Sequence, residues 1–158
     1  LLSESRRERT AVAAAADYFF RSAPRSLIAS IALGAFPFHR EGAVAASLAH
    51  CGDLVDAGYS LLIFPEGTRS PGGHLQPFKT GIGLLARELR IPVVPIAING
   101  LHEILPKGHS LPRRGPVQIT IGDPIRVDPS LSNAEATALL ETRLRCLLGC
   151  AGGAPGGM

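Results

Sequence analysis

A carboxylate, a glycine, two hydroxyls and a guanidinium occupy five consecutive positions, Glu66-Gly67-Thr68-Arg69-Ser70, directly after Leu61-Leu62-Ile63-Phe64-Pro65. Arg69 carries a planar fork of donors that suits phosphate or carboxylate. Thr68 and Ser70 add hydroxyl donors, and Gly67 lets the backbone approach a ligand closely or take φ > 0. Glu66 is suited either to hold Arg69 or to accept from a sugar-like or glycerol hydroxyl. The chemistry these types share is recognition of a small, oxygen-rich anion. The same types also make an ordinary turn, with Glu66 solvated and Arg69 on the surface. Local chemistry alone leaves both open.

Two further cations bear on that choice. Arg40 follows the strand-like Gly34-Ala35-Phe36-Pro37-Phe38-His39. Two guanidiniums at neighbouring strand ends would clamp a dianion, and the alternative is a surface arginine. Lys79 stands just before an expected helix start, where it adds a point charge beside helix N-terminal N–H groups. A solvated lysine fits there equally well. His39 neighbours Arg40, which depresses its basicity, and His50 has no carboxylate at i+4 to orient it. Neither is a good candidate base. No Gly-x-Ser-x-Gly exists, which argues against a serine hydrolase.

The elements that must place these residues follow from periodicity. Leu61 to Phe64 reads as a short strand buried on both faces, and ligands of open α/β sheets bind at the carboxyl ends of such strands. Ala11 to Ala16 fits either a helix or a buried strand. Pro24 can start a short helix with Leu27, Ile28 and Ile31 on its apolar side. Val44, Leu48, Cys51 and Val55 have helical spacing before Gly58, a plausible C-cap. Ser70 to Gln76 reads as a flexible loop. Ile82, Leu85 and Leu89 share one helical face. Pro92 to Ile98 reads as a buried strand near an edge or bulge. Val117, Ile119 and Ile121 alternate as in a half-exposed strand, and Ser132-x-x-Glu135 is a capping box opening a helix with Ala136, Leu140, Leu144 and Leu147 inward. The expectation is an α/β fold, a mixed sheet flanked by helices. It forms one domain over residues 1–150, with a disordered tail over 151–158.

Composition narrows the partners. The 158 residues can bury a sizeable core, and 46% hydrophobic content argues against disorder. No apolar run approaches the roughly 18 residues that span a bilayer. A net charge of +3 fits anionic headgroups or acidic substrates and is too weak to argue for nucleic acid. Cys51, Cys146 and Cys150 lack a paired C-x-x-C motif and read as reduced, structural and cytosol-facing. No metal site is expected.

Phe64-Pro65-Glu66-Gly67-Thr68-Arg69-Ser70, then Phe78-Lys79-Thr80-Gly81, then Ile91-Pro92-Val93-Val94-Pro95-Ile96, closely resembles the glycerolipid (lysophosphatidic acid) acyltransferase family. The likeness runs from about Ala11 to Val127, and Gly34 to Arg40 more loosely resembles the family's second motif. It implies that a fatty acyl group passes from acyl-CoA or acyl carrier protein to a lysophospholipid such as 1-acylglycerol-3-phosphate. Arg40, Glu66, Gly67, Thr68, Arg69 and Lys79 would hold the acceptor, and Val93, Val94 and Pro95 would line the acyl pocket. No cofactor is implied, because the thioester is a substrate. Peripheral attachment at the cytoplasmic membrane face and fused domains are expected.

The family's base is a His followed by four residues and an Asp. Five residues after His39, His50, His74, His102 and His109 stand Val44, Val55, Lys79, Lys107 and Arg114. The family's order of motifs puts the catalytic pair upstream of Leu1, so this chain alone is expected to be inactive. The alternative is a non-catalytic lipid- or phosphate-binding domain of a multidomain lipid-metabolism protein.

Overall fold

Alanine's helix propensity loses to strand pairing at the start of the chain. Thr10–Ala15 is a strand, β1, paired in parallel with β2 (Ala35–Phe38) on one side and β3 (Ser60–Ile63) on the other. Val12 lies opposite Ala35 and Leu62, and Ala13 opposite Phe36 and Ile63. The computed structural model describes residues 9–15, 35–38, 44–68, 71–106 and 111–151. The helix expected after Pro24 lies outside them, as do Gly152 to Met158. The chain divides into two compact units, Leu1–Phe64 and Pro65–Met158.

In the first unit, α1 (Val44–Asp56) buries Cys51 completely, with Leu48 and Val55 half-buried. It ends as the sequence foretells. Gly58 takes φ 82° and donates to the Val55 carbonyl at 2.9 Å, while Tyr59 donates to Leu54 at 2.9 Å. That pair of bonds is the Schellman closure, which needs a residue at ease with positive φ. Burial of β3 differs from expectation. Leu61 and Ile63 are half-buried, whereas Leu62 and Phe64 are exposed. As the edge strand of a three-stranded sheet, β3 is covered on one face among the described residues, so alternate side chains fall on opposite sides.

The second unit is built on two helices. The helix α2 (Gly81–Leu89) buries Leu85 and Ala86, with Ile82 and Leu89 half-buried. Ala86 joins Val127, Ala136 and Leu140 in the core, and Phe78, Ile82, Val93, Ile125 and Leu131 pack around them. Ala136 and Leu140 belong to the last helix, which with Ile96–Asn99 (β4), Leu101–Ile104 (α3) and Gln118–Ile121 (β5) completes the order as α4, Asn133–Ala151. Its capping box forms in full. Glu135 N–H donates to Ser132 Oγ at 3.2 Å, and Ser132 N–H to Glu135 Oε2 at 2.8 Å. No side chain can stand at Gly83, because a Cβ there would strike the Asn133 carbonyl oxygen and Thr137 Oγ1 of α4. The helices close on each other through that gap.

The expected buried strand from Pro92 is shorter and more exposed. Val93 makes one antiparallel bridge with Ile125, N–H to carbonyl at 2.8 Å both ways. Regular pairing begins only at Ile96, because Pro92 and Pro95 have no N–H to offer a ladder. β4 and β5 then pair antiparallel, Ile96 opposite Ile121 and Ile98 opposite Ile119. Their alternation is inverted relative to a sheet with its isoleucines inward. Ala97 is buried and Thr120 half-buried, while Ile119 and Ile121 are 55% and 66% exposed. The α/β class stands, with parallel and antiparallel pairing in separate sheets.

Candidate functional site

The anion-suited residues begin the second unit. Past Pro65 the chain turns at Gly67, which takes φ 66°, the positive value its lack of a Cβ permits. Thr68 is exposed, and Glu66 and Gly67 are half-buried. After a 3-10 turn at Pro71–Gly73, the segment from His74 to Lys79 runs back beside this turn. Two hydrogen bonds join them: Lys79 N–H to the Pro65 carbonyl at 2.9 Å, and Gln76 N–H to Glu66 Oε2 at 2.8 Å.

Glu66 therefore has a definite task. Its carboxylate holds the returning chain, so the turn after Pro65 and the residues before α2 form one tied unit. Lys79 is exposed, next to the first turn of α2. Thr80, the N-cap, makes no side-chain cap bond. Glu66, Gly67, Thr68 and Lys79 are thus brought together, with a helix N-terminus beside them. Arg40, Arg69 and Ser70 lie outside the described residues. The loop expected to be flexible is held along its second half, since Gln76 Nε2 also donates to the His74 carbonyl at 2.9 Å.

Residues the motif does not contain fix the segment from the other side. Phe78 N–H donates to Glu141 Oε2 at 2.9 Å. Arg145, one turn along α4, donates to Glu141 Oε1 from Nε at 3.0 Å and from Nη2 at 2.8 Å, and Nη2 reaches the Leu75 carbonyl at 3.5 Å. The Phe78 N–H, with Arg145, holds the Glu141 carboxyl below its ordinary value. Sequence shows Glu141 and Arg145 as an i,i+4 pair. It gives no sign of their partner 63 positions away.

Of the acyl-pocket candidates, Val93 packs against the core, Val94 is 44% exposed, and the Pro95 carbonyl accepts Gly122 N–H at 2.9 Å. Leu101 is exposed, with Ile104 and Leu105 half-buried. Among the described residues, no helix is long and apolar enough to cross a membrane.

The family model described as "Acyltransferase" matches residues 1–99, a span that holds every candidate acceptor and pocket residue. The chain belongs to the acyltransferase family. Its relatives are glycerolipid enzymes. It is 43% identical over 79 residues to the chloroplastic 1-acyl-sn-glycerol-3-phosphate acyltransferase BAT2 of Brassica napus, a match covering 49% of this chain and 23% of that protein. It is 29% identical over 94 residues to human 1-acyl-sn-glycerol-3-phosphate acyltransferase beta, covering 60% of this chain and 34% of that one. The crystal structure of the 1-acyl-sn-glycerophosphate (LPA) acyltransferase PlsC from Thermotoga maritima superposes with a TM-score of 0.69 at 25% identity. That match covers 89% of this chain and 56% of its partner. The chain spans about a quarter of the plant relatives it matches.

Proposed function

We propose that this chain forms the acceptor-binding part of an O-acyltransferase. The protein moves a fatty acyl group from the thioester of acyl-CoA or acyl carrier protein to the free hydroxyl of 1-acylglycerol-3-phosphate. The observation that carries the proposal is the Glu66–Thr68 turn, tied by Glu66 and Pro65 to the Gln76–Lys79 segment at a helix N-terminus without a side-chain cap. Thr68 and Lys79 are both exposed at this turn, and a hydroxyl and an ammonium suit a phosphate.

In this mechanism Arg69 and Arg40 grip the phosphate, with Thr68 and Lys79 adding donors. A His-x4-Asp pair upstream of Leu1 takes the proton from the acceptor hydroxyl. The oxygen then attacks the thioester carbonyl, and the tetrahedral intermediate collapses with loss of the thiolate, which receives the proton as thiol. The ester product is phosphatidic acid. The turn fixes where the phosphate sits, and so the reach of the hydroxyl to the base. No metal or bound cofactor enters the steps. Val94, the exposed member of its trio, faces the acyl chain. The protein works peripherally at the cytoplasmic face of a membrane.

The test is acyl transfer from labelled acyl-CoA to lysophosphatidic acid by the full-length protein. Arg69→Lys keeps the charge but loses the bidentate fork. A lost charged contact costs about 2 kcal/mol at the lower end, so the acceptor KM should rise roughly 30-fold. An unchanged KM in both Arg69→Lys and Arg40→Ala overturns the clamp.

A further inference from the structure

The Leu75–Lys79 segment has no regular secondary structure, yet several of its polar backbone groups are engaged. Two of its N–H groups are received by carboxylates in place of strand partners, Gln76 by Glu66 and Phe78 by Glu141. At its ends, the Leu75 carbonyl accepts from Arg145 and the Lys79 N–H donates to Pro65. The Phe78 side chain packs against the core. The segment is therefore a bridge, with the candidate anion site on one bank and α4 on the other. Its position on the α4 bank is set by one i,i+4 pair. Arg145 grips Glu141 with two donors, and this fixes the carboxylate rotamer that meets Phe78. The pair is 22% exposed at Glu141 and 48% at Arg145, so solvent weakens a simple ion pair there. Its hold on the backbone is what gives it a role.

We propose that Glu141 and Arg145 are positioning residues for the acceptor phosphate: by pinning Leu75 and Phe78 to α4 they set where Lys79 and the Glu66–Thr68 turn stand. The inference rests on the acceptor-binding function proposed above. Neither residue touches the substrate. They act through Phe78, one residue before Lys79, and through Gln76 to Glu66. A shift of about 1 Å in such a support can cost on the order of a hundredfold in a reaction that depends on orientation.

The experiment is steady-state acyl transfer by the full-length protein, varying lysophosphatidic acid and acyl-CoA separately, with Tm recorded for each variant. Glu141→Ala should raise the acceptor KM about tenfold, within the roughly hundredfold that a displaced support can cost. The acyl-CoA KM should stay within twofold. Glu141→Gln, whose amide oxygen still accepts from Phe78, should show a smaller rise in the same direction, and it serves if Glu141→Ala does not fold. The exchanged double variant Glu141→Arg with Arg145→Glu separates positioning from helix stability. It keeps an i,i+4 ion pair on α4 but leaves Phe78 N–H without its acceptor. Tm should recover only the small part that a solvent-weakened i,i+4 pair supplies, and the acceptor KM should not recover. Recovery of both means the pair only stabilises the helix and overturns the proposal. If Arg69→Lys raises the acceptor KM while Glu141→Ala and Glu141→Gln leave it unchanged, the phosphate site stands and the positioning role falls. If none of these variants changes it, both fall.

Discussion

Replacing Gly83 and Gly149 with alanine makes one chemical change in two helices of the same unit, and the outcomes should have opposite signs. In a free helix, alanine is better than glycine by about 1 kcal/mol. At Gly149 nothing lies within 4 Å of the added methyl, so most of that gain should appear. Two residues from the end of α4 it falls to about 0.5 kcal/mol, a rise in Tm of roughly 2–4 °C. At Gly83 the new Cβ meets the Asn133 carbonyl oxygen and Thr137 Oγ1, with the Thr137 backbone nitrogen 2.8 Å away. Two of these are backbone atoms of α4 and cannot rotate aside. Overpacking costs about 1–3 kcal/mol, and the upper end applies. After subtracting the gain in propensity, about 2 kcal/mol of destabilisation remains, and Tm should fall by roughly 8 °C or more. Thermal unfolding followed by circular dichroism at 222 nm reads both variants. A stabilised Gly83→Ala, or two shifts of the same sign, would refute the close helix approach. Because α2 begins two residues after Lys79, Gly83→Ala should also raise the acceptor KM more than Gly149→Ala does.

Acid should lower the stability of the chain through carboxyls whose folded values are lowered. Phe78 N–H lowers Glu141, the Ser132 contacts lower Glu135, and Ser130 N–H lowers Asp128. Their contributions are complete above the ordinary values of 3.8 for Asp and 4.5 for Glu. They fade as pH falls through the lower folded values, because the unfolded chain takes up protons first. Urea midpoints should therefore hold down to about pH 5 and drop below it. Glu141→Gln should start lower and drop less; an equal drop contradicts the Phe78 contact. For the thiols, burial pushes Cys51 up to about 11, whereas Cys146 is exposed. Brief iodoacetamide treatment of the native chain at pH 8, read by peptide mass spectrometry, should label Cys146 and spare Cys51 until urea is added. Equal labelling of the two would show that α1 does not bury Cys51.

Signals confined to one or two turns of chain were legible beforehand. The capping box at Ser132 and Glu135, the positive φ at Gly58 and Gly67, and the inward faces of α1, α2 and α4 depend on neighbours three or four positions away. The residue types of the Glu66–Ser70 run suit an anion site or an ordinary turn, and they leave both open. Partners distant in sequence decide the rest. Ala11 to Ala15 becomes a strand because β2 and β3 flank it, a tertiary fact that no alanine run encodes. Ile119 and Ile121 alternate as a strand should, but alternation does not say which face is covered. Glu66 has the same uncertainty. Its type allows a ligand contact, an Arg partner or a backbone partner, and the bond to Gln76 follows only from the path of the loop between them. Glu141 and Arg145 look like an ordinary helix-surface pair until the Phe78 backbone is seen beside them.

The two bonds that join Pro65 to Lys79 and Glu66 to Gln76 also close the intervening stretch into a ring, with Pro71–Gly73 at its far side. Whatever length that ring has, its neck is fixed by atoms outside it. Lengthening a flexible ring is cheap, about 0.6 kcal/mol for each doubling. An epitope or a fluorophore-bearing hairpin spliced between Gly72 and Gly73 would hang from the neck and leave Glu66 and Lys79 where they stand.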